Sequence, residues 1–535
     1  MATPSLAMIP SAYADSKVYS VLPNNGDGDF SFNRDSSATR VGQNGLIQTV
    51  GFFGNDLVTN GDFSNGSTDW GLGSNWSVAN GKASCDGSAS NSMSQASTVG
   101  IASTTFKVSY DVLSISQGSI RITLGGVAGS SVSQVGSYSD FITATSTDRL
   151  RIFADSSAIA SIDNIVVQQV TGDQPRLNYD ISNGAVQSCP SLLLEPARTN
   201  LATYSEDFSN AYWTKEKTSI TSNAVISPDG TLNASKLVED SSAGLHRTYS
   251  NLITTAQNND YTSSVFAKKG GRNIFGIQTS SGAQPYVWFN LDKGIIELQQ
   301  SNIVGKIESL PNGWYKCSAT WNSSSATNDR VFIQLAESTS NTSYTGDGTS
   351  GVYLWGAQFE QSSYPTSYIP TNGSSQTRAA ETCFGAGTAS TFNSTEGVLY
   401  AEISALANDG TSRVISLSDS SDTNRVHLFY NVSANTINVN YRVAGSSKAI
   451  MSFAVSDVTI MQKIAYRWQS GNFELYINGV SRGTDTNTVM MPSGTMNQLA
   501  FNVGGGTSYF HGNTKDLRVY NEALTDAQLQ TLTTL

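Results

Sequence analysis

Three observations predict an all-β protein built from three β-sandwich or jelly-roll domains in series, with a small N-terminal β segment and one short C-terminal helix. The first is composition. Only 14% of the 535 residues are charged and 47 are glycine, a balance that suits short strands joined by many exposed turns. The second is periodicity. Runs such as Ser119-Ile120-Arg121-Ile122-Thr123-Leu124 alternate apolar and polar residues, as half-buried strands do. The third is repetition: four motifs occur twice in the same order.

In the first segment, Val18–Leu22, Phe30–Phe32 and Leu46–Ile47 read as short strands, with Asn44-Gly45 as a hairpin turn. The acidic turn Asn24–Asp29 lacks the closing acid of a calcium loop. A compact β-domain follows over 52–171, with strands expected at Thr105–Leu113, Gly118–Leu124, Asp148–Ala154 and Ile162–Val170. The stretch Cys189-Pro190-Ser191-Leu192-Leu193-Leu194-Glu195-Pro196 then reads as a pinned joint. Beyond it, Asp207-Phe208-Ser209-Asn210 with Trp213 echoes Asp62-Phe63-Ser64-Asn65 with Trp70. Tyr261–Thr279 echoes Tyr110–Leu124, Asp329–Ile333 echoes Asp148–Ile152, and Val352–Glu360 echoes Ile162–Gln169. One fold is therefore expected twice, the earlier copy inserted before the joint. The predicted organisation is a split anchoring segment (1–51 with 172–201), an inserted sandwich (52–171), a second jelly roll (202–370), a Gly/Ser/Thr-rich linker (371–393) and a third sandwich (394–535). The strands 18–22, 30–32 and 46–47 are expected to pack beside Leu192–Leu194 as one small unit. Near the end, Thr525-Asp526-Ala527-Gln528 is a capping box ahead of Leu529 and Leu532, the signature of the single helix.

The net charge of −11 argues against nucleic acid and against an anionic membrane surface, both of which call for clustered Lys and Arg. Cys85, Cys189, Cys317 and Cys383 form no C-x-x-C pair, so free buried or half-buried thiols are expected rather than a zinc or redox site. No apolar run approaches membrane-spanning length, and membrane insertion is not expected. Met1–Asp15 contains Ala12-Tyr13-Ala14 but has no basic region and is broken by prolines, so it is not read as a signal peptide. A dispersed, surface-suited chain without that signal fits a particle component assembled in a cytoplasm and released by lysis.

Three resemblances refine this picture. Asn60-Gly61-Asp62-Phe63 with Trp70 and Asp163-Asn164-Ile165 resembles family-4-like carbohydrate-binding modules. That resemblance implies a structural calcium at Asp62 and Asp163; no cofactor is otherwise required. Phe473–Val480 followed by Gly512–Leu524 resembles concanavalin A-like or laminin-G-like domains. Val21-Leu22-Pro23, Gly26–Phe32, Ala38–Val41 and Asn44–Ile47, together with Pro175–Leu177, Cys189–Pro196 and Leu354–Thr371, resemble tailed-phage virion appendages of the head-spike, head-fibre and tail-fibre type. The inserted copy at 52–171 departs from that family's nearly continuous segment. The family implies a virion-surface location, other virion proteins as partners through 1–50 and 174–201, and a homo-oligomer, with a trimer by analogy.

Sugars are held by aromatic faces and planar polar side chains. The candidates are Trp76 and Tyr138 in the first copy, Tyr286 and Trp288 in the second, and Tyr430, Tyr441, Tyr509 and His511 in the third domain. No catalytic residues are assigned. The Glu-x-Asp-x-x-Glu strand of sandwich glucanases and the P-loop are both absent from the sequence. The function expected is a non-enzymatic structural virion protein that binds host cell-surface glycans. The alternatives are a polysaccharide depolymerase and a purely architectural decoration protein.

Overall fold

The computed structural model describes residues 2–280, 284–323 and 328–535. The chain is all-β. Apart from one 3-10 turn at Pro311–Gly313, the only helix among the described residues is Asp526–Thr533. Its capping box forms as expected: Gln528 N donates to Thr525 Oγ1 at 3.4 Å, and Thr525 N donates to Gln528 Oε1 at 2.9 Å. Leu529 and Leu532 are its buried side chains along with Thr533.

Two sandwiches share one strand order. In the first, Gly136–Thr143, Thr105–Gln117, Ile159–Gly172, Lys82–Asp86 and Trp76–Ala79 lie side by side. Facing them are Val127–Val132, Ile120–Leu124, Asp148–Ala154, Asn91–Gly100 and Trp70–Gly71. In the second, the same places are taken by Trp314–Asn322, Asp260–Lys269, Gly351–Glu360, Ala234–Glu239 and Thr218–Val225. The facing sheet holds Tyr286–Asn290, Ile274–Thr279, Val331–Ala336, His246–Ser250 and Trp213–Glu216. The second copy adds Ile295–Gln299 to one sheet and Ile303–Ser309 to the other. Each copy has its own apolar core, one around Phe106, Ile122 and Ile152, the other around Phe275, Ile277 and Ile333.

In the C-terminal sandwich, a five-stranded sheet runs Ser446–Ala454, Thr436–Val443, Arg425–Tyr430, Arg413–Ser418 and Gln498–Ala500. Its partner sheet is centred on Gly512–Tyr520, Glu396–Ala405, Gln462–Gln469 and Phe473–Ile477. The N-terminal segment completes this second sheet. Leu6–Met8 pairs with Leu517–Val519, and Leu192–Leu194 pairs with Gly512–Thr514. Leu6, Met8, Val18, Phe30, Phe32, Leu192 and Leu194 therefore share one core with Leu417, Trp468 and Leu517. The small separate unit expected from the sequence is corrected here. Val18, Phe30 and Phe32 do join the leucines, but inside the C-terminal core: the edge at Gly512–Tyr520 gives Leu6–Met8 and Leu192–Leu194 their backbone partners, and Phe30–Asn33, paired with Lys17–Val18 and Thr382–Phe384, adds apolar area to the same core. Ile47 goes elsewhere: it packs with Ile181, Trp314 and Tyr368, and its N–H donates to Pro228 O at 2.9 Å.

The expected linker 371–393 is also corrected. Gln376–Arg378 pairs with Arg198–Asn200, and Thr382–Phe384 pairs with Phe30–Asn33. What holds it is a buried ionic knot. Glu381 accepts from Arg34 Nη1 at 2.9 Å and from Arg176 Nε at 2.8 Å, and Arg176 Nη2 closes a bidentate pair. Glu195 accepts from Arg176 Nη1 at 2.7 Å and from Ser367 N at 2.9 Å, with Arg378 Nη1 at 2.9 Å. Burial alone would raise both carboxyls. The charges of Arg378 and Arg176 outweigh it at Glu195, and Arg176 and Arg34 do so at Glu381, so both are held below the usual carboxylate range. Composition predicted a linker; five buried charges turn the stretch into structure. Of the cysteines, Cys85, Cys317 and Cys383 are buried and Cys189 is exposed, all with free thiols.

Candidate functional site

The facing sheet of the second jelly roll buries Phe275, Ile277, Val287, Phe289 and Ile333 on one side. Strand alternation then sends the intervening residues outward. Two cross-strand rows result. Thr214, Tyr249, Phe332, Gln278 and Tyr286 are successive register partners. Beside them run Glu216, Arg247, Gln334, Gly276, Trp288 and Leu298. At about 4.8 Å between strands, the five-residue row spans about 19 Å.

The rings in this face are braced by cations. The Tyr249 and Phe332 centroids are 5.1 Å apart. The Arg247 guanidinium lies 4.7 Å from the Phe332 centroid, and that of Arg330 lies 5.3 Å from Tyr249. Arg247 Nε donates to Glu216 Oε2 at 2.7 Å, which fixes its plane. Tyr249, Phe332, Tyr286 and Gln278 are half-buried, so each keeps accessible surface. The face thus offers an amphipathic strip: ring faces for C–H groups, and amide and guanidinium donors for hydroxyls.

Of the residues singled out from sequence, Tyr286 and Trp288 are the pair brought into this face, 6.0 Å apart. Trp288 serves as floor rather than platform. It is only 6% exposed and packs with Ile274 and Ala336. A Cβ at Gly276 would come within 2.7 Å of its ring, so the glycine is what lets the indole lie against the sheet. Trp76, expected as a stacking ring, is corrected to core: it is 6% exposed within the first sandwich. Tyr430 and Tyr441 are corrected likewise. Both point into the C-terminal core, where the Tyr441 hydroxyl donates to Ser394 O at 2.8 Å. A buried ring has no face to offer a sugar. Tyr138 stacks on Tyr110 at 5.7 Å, and its hydroxyl donates to Gln134 O at 2.8 Å within the first sandwich. Tyr509 and His511 lie 6.2 Å apart beside the five-stranded sheet, and burial pushes the imidazole down to about 4.

Sequence reasoning missed Tyr249, Phe332, Arg247, Arg330 and Gln278. The signal was present as alternation in His246–Ser250 and Val331–Ala336, with aromatic and polar residues at every second position. In the first copy the matching row is Ser92, Phe153, Arg121 and Ser131, with Arg121 5.5 Å from the Phe153 centroid. It carries one ring instead of three.

Burial raises the Asp163 carboxyl, with Asp62 and Asp111 adding to the rise. Asp62 already accepts from Ser64 N at 3.2 Å and Ser64 Oγ at 2.9 Å. Among the described residues no three His, Cys, Asp or Glu side chains converge as a metal centre would require. A structural calcium at Asp62 and Asp163 is what the resemblance implies, and no step below is routed through one. A polar cleft of about 490 Å3 lies between the second jelly roll and the C-terminal sandwich, lined by Asn259, Asp260, Gln361, Ser362, Asn408 and Asp409 among others. No aromatic ring among the described residues lines it.

The fold defines an all-β protein of several sandwiches in series. Residues 388–530 match the concanavalin A-like lectin/glucanases superfamily. No curated protein matches the chain significantly. Among solved structures, the CBM40 of the Ruminococcus gnavus IT-sialidase bound to α2,3 sialyllactose is similar over 28% of this chain and 87% of its own, at 16% identity and a TM-score of 0.25. Domain 4 of AbnA, a GH43 extracellular arabinanase from Geobacillus stearothermophilus in complex with arabinotriose, covers 29% of this chain and 73% of its own, at 16% identity and a TM-score of 0.25. A heptameric SAP-like pentraxin from Limulus polyphemus covers 26% and 71%, at 17% identity and a TM-score of 0.21.

Proposed function

We propose that this chain is a non-catalytic glycan-binding protein displayed on a virion, where it attaches the particle to host surface polysaccharide. The observation that carries the binding role is the strip of Tyr249, Phe332 and Tyr286 across adjacent strands, flanked by Arg247 and Arg330. Stacking on ring faces tolerates many sugars and is shallow, so strength comes from many copies per particle. The lectin-like match over 388–530 supports the same class of ligand.

The virion role rests on the resemblance of the N-terminal segment and the joint to tailed-phage appendage proteins. A rigid base suits it: the ionic knot and the shared core tie residues 6–34, 176–195 and 376–384 to the C-terminal sandwich. Residues 1–50 and 174–201 are assigned to docking on other virion proteins or sister chains. Affinity electrophoresis in gels carrying purified bacterial surface polysaccharides, with reducing ends measured alongside, tests the reading. Retardation without release of reducing ends is expected. Progressive release of reducing ends would make the chain a depolymerase, and no retardation in any polymer would leave it architectural.

A further inference from the structure

The five-stranded sheet of the C-terminal sandwich has an outward face that the account above leaves unused. Leu417, Val426, Leu428, Val439 and Tyr441 fill the core. The alternate positions face away from it, in two adjoining rows. One holds Ser416, His427 and Asn440; the other holds Ser418, Arg425 and Arg442. In a chain of net charge −11, this face sets two arginines side by side on adjacent strands.

Neither arginine makes a direct ion pair among the described residues. Arg442 makes no side-chain hydrogen bond and no ion pair among the described residues, and its Nε is buried without a partner. Arg425 is 6% exposed and finds only neutral acceptors: Asp422 O at 2.7 Å and Val503 O at 3.4 Å for Nη1, and His427 Nδ1 at 3.3 Å for Nε. Two carboxylates act on Arg425 through charge alone, Asp422 more than Asp419; neither hydrogen-bonds it, and Asp419 is occupied by Ser421 and Asn424. His427 is held neutral: burial lowers it to about 3, and the charges of Arg425 and Arg442 push the same way. Because its Nδ1 accepts from Arg425, its proton sits on Nε2, which makes it a further donor. Around these groups the polar network is incomplete. Ser416 Oγ, Ser418 Oγ, Asn438 Nδ2 and Asn440 Oδ1 are all buried without partners. Orphan polar atoms are rare in folded proteins, and here they gather on one sheet face beside two unpaired cations. The loop through Gly504 closes one end: a Cβ there would meet Ser421 O at 2.3 Å and Ser418 Oγ at 2.8 Å.

We propose that this face is a second ligand site, in which Arg425 and Arg442, with His427 and Asn440, hold a carboxylate or sulfate group of an acidic saccharide. An oxyanion supplies what the face lacks, since guanidinium forks match carboxylate and sulfate geometry. The site lies on a different sandwich from the aromatic strip and does not depend on it.

The test is calorimetric titration of the full chain with oligogalacturonate, a heparin-derived oligosaccharide and a neutral cello-oligosaccharide of equal length, at low and high salt. Binding of at least one acidic probe is expected, weakened by salt, with none of the neutral probe at this site. Binding to oligogalacturonate assigns the group as carboxylate, and binding to the heparin fragment assigns it as sulfate. Arg442→Gln, at a half-exposed position, is expected to weaken that binding at least tenfold. Asn440→Asp places a carboxylate among the arginines; it is expected to abolish binding while leaving the melting temperature equal or higher, which loss of folding could not do. The double variant Tyr249→Ala/Phe332→Ala is expected to keep the acidic-probe affinity. The proposal is overturned if neither acidic probe binds, or if R442Q and N440D bind as the parent does.

Discussion

At the scale of single residues, charge burial sets the pH behaviour. Glu206 sits in a crowded place: Tyr368 Oη donates to its Oε1 at 2.8 Å, and Asp229 and Asp140 lie near. Burial first, and then Asp229, raise its carboxyl to about 7 from an ordinary 4.5. The folded state therefore binds this proton more tightly than the unfolded state. Glu206 adds stability below pH 4.5 that fades as pH rises to about 7. A melting-temperature profile is expected to slope downward across that window in the parent and to flatten in Glu206→Gln. Glu195 and Glu381 have the opposite sign. Their depressed values mean that stability present above the ordinary carboxylate range is lost as pH falls below it. Breaking the knot leaves buried arginines unpaired, so Glu381→Gln is expected to cost about 3–5 kcal/mol in denaturant unfolding. None of this was legible in the sequence. Arg34 and Glu381 are 347 positions apart, and Glu381 lies in a stretch whose composition reads as linker.

At the scale of elements, the strands were largely legible. The strand expected at Asp148–Ala154 forms with those bounds, the one expected at Thr105–Leu113 runs on to Gln117, and the helix follows its capping box. Alternation shows which residues share a face but not which face is buried when both carry rings. Tyr441 and Trp288 illustrate this. Each lies in an alternating run, yet Tyr441 faces the core and Trp288 is sealed under its neighbours. The aromatic strip itself needed the register, because Tyr249, Phe332 and Tyr286 come from three separate strands. Gly276 gives a direct check on that sheet. Gly276→Ala is expected to displace the Trp288 ring and destabilise the jelly roll by about 1–3 kcal/mol, measurable as a lowered unfolding midpoint together with a shift in tryptophan fluorescence.

At the scale of the whole molecule, the repeat was visible because four motifs recur in order, and the two copies show the same strand order. What sequence could not show is that the N-terminal segment finishes the last sandwich. Leu192 is fully buried within the core it shares with Leu399 and Leu517. Leu192→Ala is therefore expected to cost about 2–5 kcal/mol and to speed proteolysis within 394–535, rather than in the second jelly roll. Residues 394–535 expressed alone are expected to aggregate, since Gly512–Tyr520 would lose its partners Leu6–Met8 and Ala185–Leu194. The proposed glycan binding turns on one surface, the outer face of the second jelly roll. Its most direct test is a glycan array of bacterial surface polysaccharides probed with the full chain and with Tyr249→Ala/Phe332→Ala, both confirmed folded by circular dichroism. Binding of neutral glycans by the parent and its loss by at least tenfold in the variant is the expected result; equal binding by the two proteins would contradict it.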